Sequence, residues 1–319
     1  FDKINKIGFR LNITLLYGGS SSEREISIRT SIAIAEVISG LYNLDMIDLS
    51  SKFYENPHDL YKSDLVFNAL HGGDGENGTL QSFLDLHHIP YTGSDAKSSR
   101  IAMDKNIAKL IAQSINIKTP KWFMINLNDK ENIKLLDHNS EKFSYPIIIK
   151  PANEGSTYGL SIVRKESELN DAINLSSMFS SQILVEEYIE GRELTVGILG
   201  DKPLPVLEIK TSGDLYDYKC KYTEGMSEYV VPAKIDNSIE RIVSENALKI
   251  FQEIGCRHYS RVDFRLNEKG ECYLLEINTL PGMTSTSLLP KAAKAAGLDF
   301  KQLIEFIINQ AIMDKNEIL

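Results

Sequence analysis

Cysteine is scarce in this chain. Cys220, Cys256 and Cys272 are an odd number with no CxxC spacing, which argues against a disulfide framework and against a thiolate zinc site. A basic surplus is missing as well: 35 Lys and Arg stand against 44 Asp and Glu, a net charge of -9 over 319 residues. Without a basic stripe no nucleic-acid partner is expected, and small ligands are. Long apolar runs are also absent. The first one, after the charged stretch 1–10, ends at Tyr17-Gly18-Gly19, too short for a signal-peptide core or a membrane span. A cytoplasmic protein with no membrane partner is therefore expected, and neither internal repeats nor low-complexity tracts interrupt it.

What is present fits an ordinary folded protein. Hydrophobic residues at 42% and charged residues at 25% match soluble globular domains, and 319 residues suffice for two or three of them. Asn12 to Tyr17 reads as a buried strand, Gly18-Gly19 as its turn, and Glu25 to about Gly40 as a helix with apolar residues on one side. Strands at Leu44 to Asp48 and Asp64 to Ala69 and a helix over Thr79 to His87 extend this into a doubly wound α/β domain. Ligands of such sheets sit beyond the carboxyl ends of the strands, where Gly18-Gly19 and His71-Gly72-Gly73 fall. A helix from Ser98 to Ile115 then leads into short strands at Lys121 to Ile125, Pro146 to Lys150, Ser161 to Arg164 and Ile183 to Glu187, a smaller α+β domain. A third, mostly antiparallel sheet draws on Glu193 to Leu199, Pro205 to Ile209, Arg261 to Leu266 and Cys272 to Ile277, with helices at Ser238 to Gly255 and Phe300 to Gln310. These patterns predict domains over 1–93, 94–185 and 186–319.

The most informative residues lie on the last two strands. Strand side chains alternate between faces, so Arg261 and Asp263 share one face and Glu276 and Asn278 share one. Three oxygen donors and an arginine converge in a pattern that suits a hard cation such as Mg2+ with nucleotide phosphates completing its shell. The same residues also fit a hairpin with a solvated acidic face. Lys150, at the end of an apolar strand, opens a loop carrying Gly155, Ser156, Thr157 and Gly159, whose backbone N–H groups could approach phosphate oxygens; an unliganded hairpin fits equally well. Val185 to Glu193 is an extended linker able to offer an adenine edge backbone donors and acceptors, or simply a solvated acidic connection. Residues 223–233 read as a lid loop after the strand around Lys221-Tyr222.

In order along the chain, Gly18-Gly-Ser-Ser-Ser-Glu23, Leu70-His71-Gly, Pro90-Tyr-Thr-Gly, Met103-Asp-Lys105, Lys150-Pro with Glu154-Gly-Ser156, Lys221-Tyr222, Arg261-Val-Asp263, Leu275-Glu276-Ile-Asn278 and Pro281-Gly282-Met-Thr-Ser resemble the D-alanine-D-alanine ligase family of ATP-grasp enzymes. The resemblance runs from about residue 12 to the end. It implies a three-domain fold with ATP held between the second and third domains. It also implies phosphate contacts from Lys105, Lys150, Lys221 and the loop at Ser156, and two Mg2+ or Mn2+ ions on Asp263, Glu276 and Asn278. Adenine and ribose would meet Glu186, Glu187, Tyr188, Ile189 and Glu193. A first D-alanine would set its ammonium on Glu23 near His71, and a second would set its carboxylate on Ser287 and the Leu288 backbone.

The implied reaction is ATP-dependent joining of two D-alanines through a D-alanyl phosphate, for peptidoglycan precursors, in a homodimer. Arg261 and the Gly282 N–H would stabilise the tetrahedral oxyanion. A lid tyrosine at 222, meeting Ser156 and Glu23, goes in this family with an amine as second substrate. Two other readings stay open: a ligase that forms the D-alanyl-D-lactate ester, separated by second-substrate preference, and a nucleotide-binding regulator without catalysis, separated by the absence of turnover.

Overall fold

The computed structural model describes residues 10–49, 53–55, 57–129, 143–211, 227–284 and 286–318. Lys221 and Tyr222, the start of the expected lid and Cys220 lie outside them. Three sheets organise the rest. The first is parallel, with β2 (Asn43–Asp48), β1 (Asn12–Tyr17) and β3 (Leu65–Asn68) in the order β2-β1-β3. Ile13, Leu15 and Leu16 on β1 are all buried, the uninterrupted apolar reading of a parallel strand covered on both faces. Helix α1 (Arg24–Ile38) follows the β1 turn, and α2 (Thr79–Leu86) follows β3.

Helix α3 (Ala96–Met103) and helix α4 (Lys105–Ser114) occupy the stretch expected to be one helix over 98–115. Asp104 breaks it. Its backbone is extended, and its side chain accepts from the N–H groups of Asn106 and Ile107, a helix cap that starts α4 afresh and sets Lys105 at its first position. The second sheet, antiparallel in the order β4-β7-β5-β6, joins β4 (Trp122–Asn126), β5 (Ile147–Pro151), β6 (Ser161–Val163) and β7 (Gln182–Glu187). Helix α5 (Leu169–Ser177), which the sequence reading did not foresee, contacts β5, β6 and β7 of this sheet.

The third sheet carries β8 (Arg192–Leu199), β9 (Lys202–Pro203), β10 (Leu207–Thr211), β11 (Ser227–Val230), β12 (Tyr259–Leu266) and β13 (Cys272–Asn278). Its order is β11-β10-β8-β12-β13, with β9 on β8. Strand β11 corrects the lid expectation in part: residues 227–230 are paired to β10 rather than looped. Helix α6 (Asn237–Ile254) covers the sheet through Val243, Ala247, Ile250 and Ile254 and ends at Gly255, whose φ of 82° suits a left-handed helix stop.

Helix α7 (Leu288–Ala295) was also missed, because Pro290 reads as a breaker although a proline in the first turn costs no helical hydrogen bond. Helix α8 (Phe300–Ile318) runs further than the predicted Gln310. Its Leu303, Ile304, Ile307, Ile308 and Ala311 form one apolar stripe that joins the core of the first sheet, so the end of the chain packs on its beginning.

The Asp104 cap is a local, testable contribution. Asp104→Ala is expected to destabilise the protein by about 1 kcal/mol, read as a lower urea midpoint; an unchanged midpoint would show that α4 is held by its packing alone.

Candidate active site

The β12–β13 pair builds the floor of the site by one irregularity. Asp263 pairs with Glu276, but Phe264 pairs with Leu274, so Leu275 is an extra residue that shifts the alternation of β13. Cys272, Leu274 and Ile277 join the core, as do Val262, Phe264 and Leu266. Without the extra residue Glu276 would share the core face with Leu274. The bulge instead turns it toward the face of Asp263, a re-aiming for which bulges are suited.

Asp263 is fixed from two sides. Arg261 donates from Nε and Nη2 to its two oxygens at 2.9 and 2.8 Å, and Thr195 Oγ1, on the register-paired position of β8, donates at 2.6 Å. Lys105 lies 3.4 Å from Glu276 and donates to the Glu154 carbonyl at 2.5 Å. Asn278 Oδ1 accepts from Leu280 N at 2.8 Å, which orients its amide. Among the described residues no group of three or more His, Cys, Asp or Glu could hold a metal ion. Two carboxylates and an amide oxygen nevertheless fit a hard cation that draws its remaining ligands from phosphates and water.

A cleft beside this floor is lined by Lys105, Lys150, Glu186, Glu187, Tyr188, Ile189, Glu193, Arg261, Asp263 and Glu276. Glu186 was expected among the adenine and ribose contacts. Its carboxylate in fact bridges two lysines, with Lys150 Nζ at 3.0 Å on one oxygen and Lys109 Nζ at 2.6 Å on the other. Burial alone would raise the Glu186 pKa, but Lys109 and then Lys150 outweigh it and hold the group ionised below its usual range. Lys109 is pushed down to about 8, chiefly by burial. Arg265, a further residue of this cleft, lies over the Tyr188 ring at 5.9 Å and 3.9 Å from Glu193.

A second cleft is lined by Glu23, His71, Ser156, Arg261, Glu276, Asn278, Gly282, Ser287 and Leu288. Ser156 Oγ donates to Glu23 Oε1, linking the loop after β5 to the start of α1. Ser156 and Thr157 both hold left-handed backbone angles, φ 50° and 66°, a strain on the order of 1–3 kcal/mol each that a site loop can sustain when its surroundings fix it. Gly72 lets the chain pass Glu23, since a Cβ there would lie 2.9 Å from its Oε2; at Gly282 a Cβ would lie 2.9 Å from Ser287 Oγ. Ser287 precedes α7, so the Leu288 N–H stands in the unpaired first turn, a natural seat for a carboxylate.

Glu76, not foreseen, is buried here and held largely in its neutral form, with its pKa raised to about 8. Burial first, and the nearby Glu23 next, raise its pKa, and its Oε1 lies 3.9 Å from His71 Nδ1. Thr30 Oγ1 hydrogen-bonds His71 Nε2 at 3.0 Å. Arg261 and Glu276 line both clefts, so the two cavities meet at the bulge.

Comparison with known proteins decides the family. The family model described as D-ala D-ala ligase C-terminus matches residues 111–309, and the one described as D-ala D-ala ligase N-terminus matches residues 50–94. The chain belongs to the D-alanine-D-alanine ligase family. A D-alanine-D-alanine ligase of Aquifex aeolicus is 42% identical over 304 residues, 93% of this chain and all of the relative. Among solved structures, that of the Bacillus anthracis D-alanine-D-alanine ligase complexed with ATP matches with a TM-score of 0.83 at 33% identity, covering 97% of this chain and 99% of that one. The VanG D-Ala:D-Ser ligase of Enterococcus faecalis matches with a TM-score of 0.81 at 31% identity, over 95% and 99%. The family's ATP-grasp architecture, a mixed α/β fold with a parallel sheet near the N-terminus, is thus the architecture of this chain.

The buried histidine gives a pH signature. Burial and then the Arg261 charge lower the His71 pKa from 6.5 to about 4. Between those values the unfolded chain takes up a proton that the folded one refuses, so stability is present above pH 6.5 and lost as pH falls toward 4. His71→Asn is expected to shrink the fall in urea midpoint between pH 6.5 and pH 4.5; an equal fall in both proteins would assign the acid sensitivity elsewhere.

Proposed function

We propose that this protein is an ATP-dependent ligase that joins two D-alanines into D-alanyl-D-alanine through a D-alanyl phosphate, for peptidoglycan precursor synthesis, as a cytoplasmic homodimer. No described helix is long and apolar enough to cross a membrane. The observation that carries the reading is the meeting of the two clefts: one is edged by lysines, the other by buried carboxylates, and both open on Arg261 and Glu276. Relatives and neighbours named as such ligases, one of them complexed with ATP, support the same assignment.

In this reading Lys105 and Lys150, with Lys221 from outside the described residues, take the ATP phosphates. The 186–189 linker and Glu193 take adenine and ribose, and Arg265 holds Tyr188 and Glu193 in place. Asp263, Glu276 and Asn278 would hold Mg2+ or Mn2+, which when bound neutralises charge on the phosphates. Glu23, held by Ser156, takes the ammonium of the first D-alanine. A carboxylate oxygen of that D-alanine forms a bond to the γ-phosphorus as the bond to ADP breaks. The second D-alanine rests its carboxylate on Ser287 and the Leu288 N–H. Its amine nitrogen bonds to the acyl carbon, a proton leaves the nitrogen, and phosphate departs with the oxygen it captured. Negative charge that develops on the carbonyl oxygen falls to Arg261 and the Gly282 N–H.

The D-Ala:D-Ser ligase among the structural neighbours keeps a second-substrate alternative specific. Tyr222, which the family resemblance associates with Ser156 and Glu23, is assigned the preference for an amine over a hydroxyl as second nucleophile. Purified protein with ATP and magnesium chloride is expected to release phosphate with D-alanine and to yield the dipeptide by mass, and to do neither with L-alanine. D-alanyl-D-serine or D-alanyl-D-lactate as the main product of mixed reactions would overturn the second-substrate assignment. No release with any pair would overturn the ligase reading. Arg261→Met is expected to lower kcat by about 100- to 1000-fold, with a smaller change in the D-alanine KM; equal effects on both would place Arg261 in ground-state binding instead.

A further inference from the structure

Lys109 stands out among the groups that the reaction above leaves unused. It is 1% exposed, on α4 one turn beyond Lys105, and no step of the proposed chemistry touches it. Its ammonium is ion-paired with Glu186 Oε2 at 2.6 Å and donates to Thr119 Oγ1 at 2.6 Å and to the Pro120 carbonyl at 3.4 Å. The Trp122 ring lies 5.2 Å away and covers it. Thr119 passes the link on, donating to the Leu274 carbonyl at 2.8 Å on β13, just before the bulge. Lys109 therefore ties α4, β7 and β13 together behind the nucleotide cleft.

We infer that Lys109 is a positioning residue for nucleotide capture, acting through Glu186 on Lys150. The reason is charge arithmetic. Glu186 shared between two lysines leaves one unit of positive charge on the group, and of the two lysines Lys150 is the one that lines the cleft. With Lys109 neutral, Glu186 and Lys150 would close into a neutral pair, and Lys150 would have to break a buried ion pair to meet a phosphate. Removing one member of a buried ion pair destabilises a fold whatever its function, so the inference is tested on ATP affinity rather than on stability. Sharing the Glu186 charge, so that Lys150 is not its sole counter-ion, is a task that methionine cannot perform.

The inference rests on the nucleotide reading given above, and the test separates the two. ATP binding is measured by calorimetry with magnesium chloride and no D-alanine, on the full chain. Lys109→Met is expected to weaken ATP binding by about tenfold or more, and Lys109→Arg to restore most of it. The D-alanine KM at saturating ATP is expected to stay close to that of the unaltered protein. Since the effect runs through Glu186, Lys109→Met placed on Glu186→Gln is expected to change ATP affinity little relative to Glu186→Gln alone. That second comparison stands even if Lys109→Met by itself does not fold. Unaltered ATP affinity in Lys109→Met, or a tenfold loss on adding it to Glu186→Gln, would overturn the inference. An unaltered protein that binds no ATP would overturn the nucleotide reading instead.

Discussion

One extra residue in β13 sets the rest of the site. Two antiparallel strands whose apolar side chains fill a core must alternate, and strict alternation from Leu274 would send Glu276 into that core. The Leu275 bulge removes the conflict. It keeps Leu274 and Ile277 buried while Glu276 joins Asp263 on the opposite face, and Arg261 and Asn278 fall beside them by register. The packing of the third sheet and the placement of its polar residues are therefore one constraint, met at one position.

Charges gathered at such a face cannot be left alone. The central ionic groups of the first cleft have partners of opposite sign or several donors: Asp263 with Arg261 and Thr195, Glu276 with Lys105, Glu186 with Lys109 and Lys150. The amino-acid cleft is built the other way. Glu23, Glu76 and Glu276 gather there, and burial first, then Glu23, raise the Glu76 pKa so that its carboxyl favours the neutral form. In the proposed reaction an incoming ammonium would meet these carboxylates and an incoming phosphate the lysines of the other cleft. Arg261, at the junction, serves both and also lowers the His71 pKa.

Much of this was legible in the residues themselves. The first strand, the apolar run ending in Lys150 and the Arg261–Asp263 alternation are local patterns, and local patterns survive folding. Glu23 and Ser287, distant in sequence, became candidates only through the family resemblance, and the fold brings them to one cavity with Ser156. What escaped depends on pairing between elements. Thr195 matters because it sits opposite Asp263 across two strands, Lys109 because its helix packs behind Glu186, and Glu76 because burial changes what a glutamate is. The i to i+4 step from Lys105 to Lys109 was the one available hint, and a lysine on a helix ordinarily points to water. The break at Asp104 was readable in principle from its capping side chain, but a continuous apolar pattern across 98–115 masked it.

In the proposed reaction the two clefts meet so that a carboxylate activated in one is captured in the other. Isotope transfer tests it most directly. With D-alanine labelled with 18O in its carboxylate, the phosphate released with the dipeptide should carry one labelled oxygen, taken from the first D-alanine when its bond to carbon breaks. Phosphate free of label, with dipeptide formed, would contradict the acyl phosphate and with it the reason the two clefts share Arg261 and Glu276.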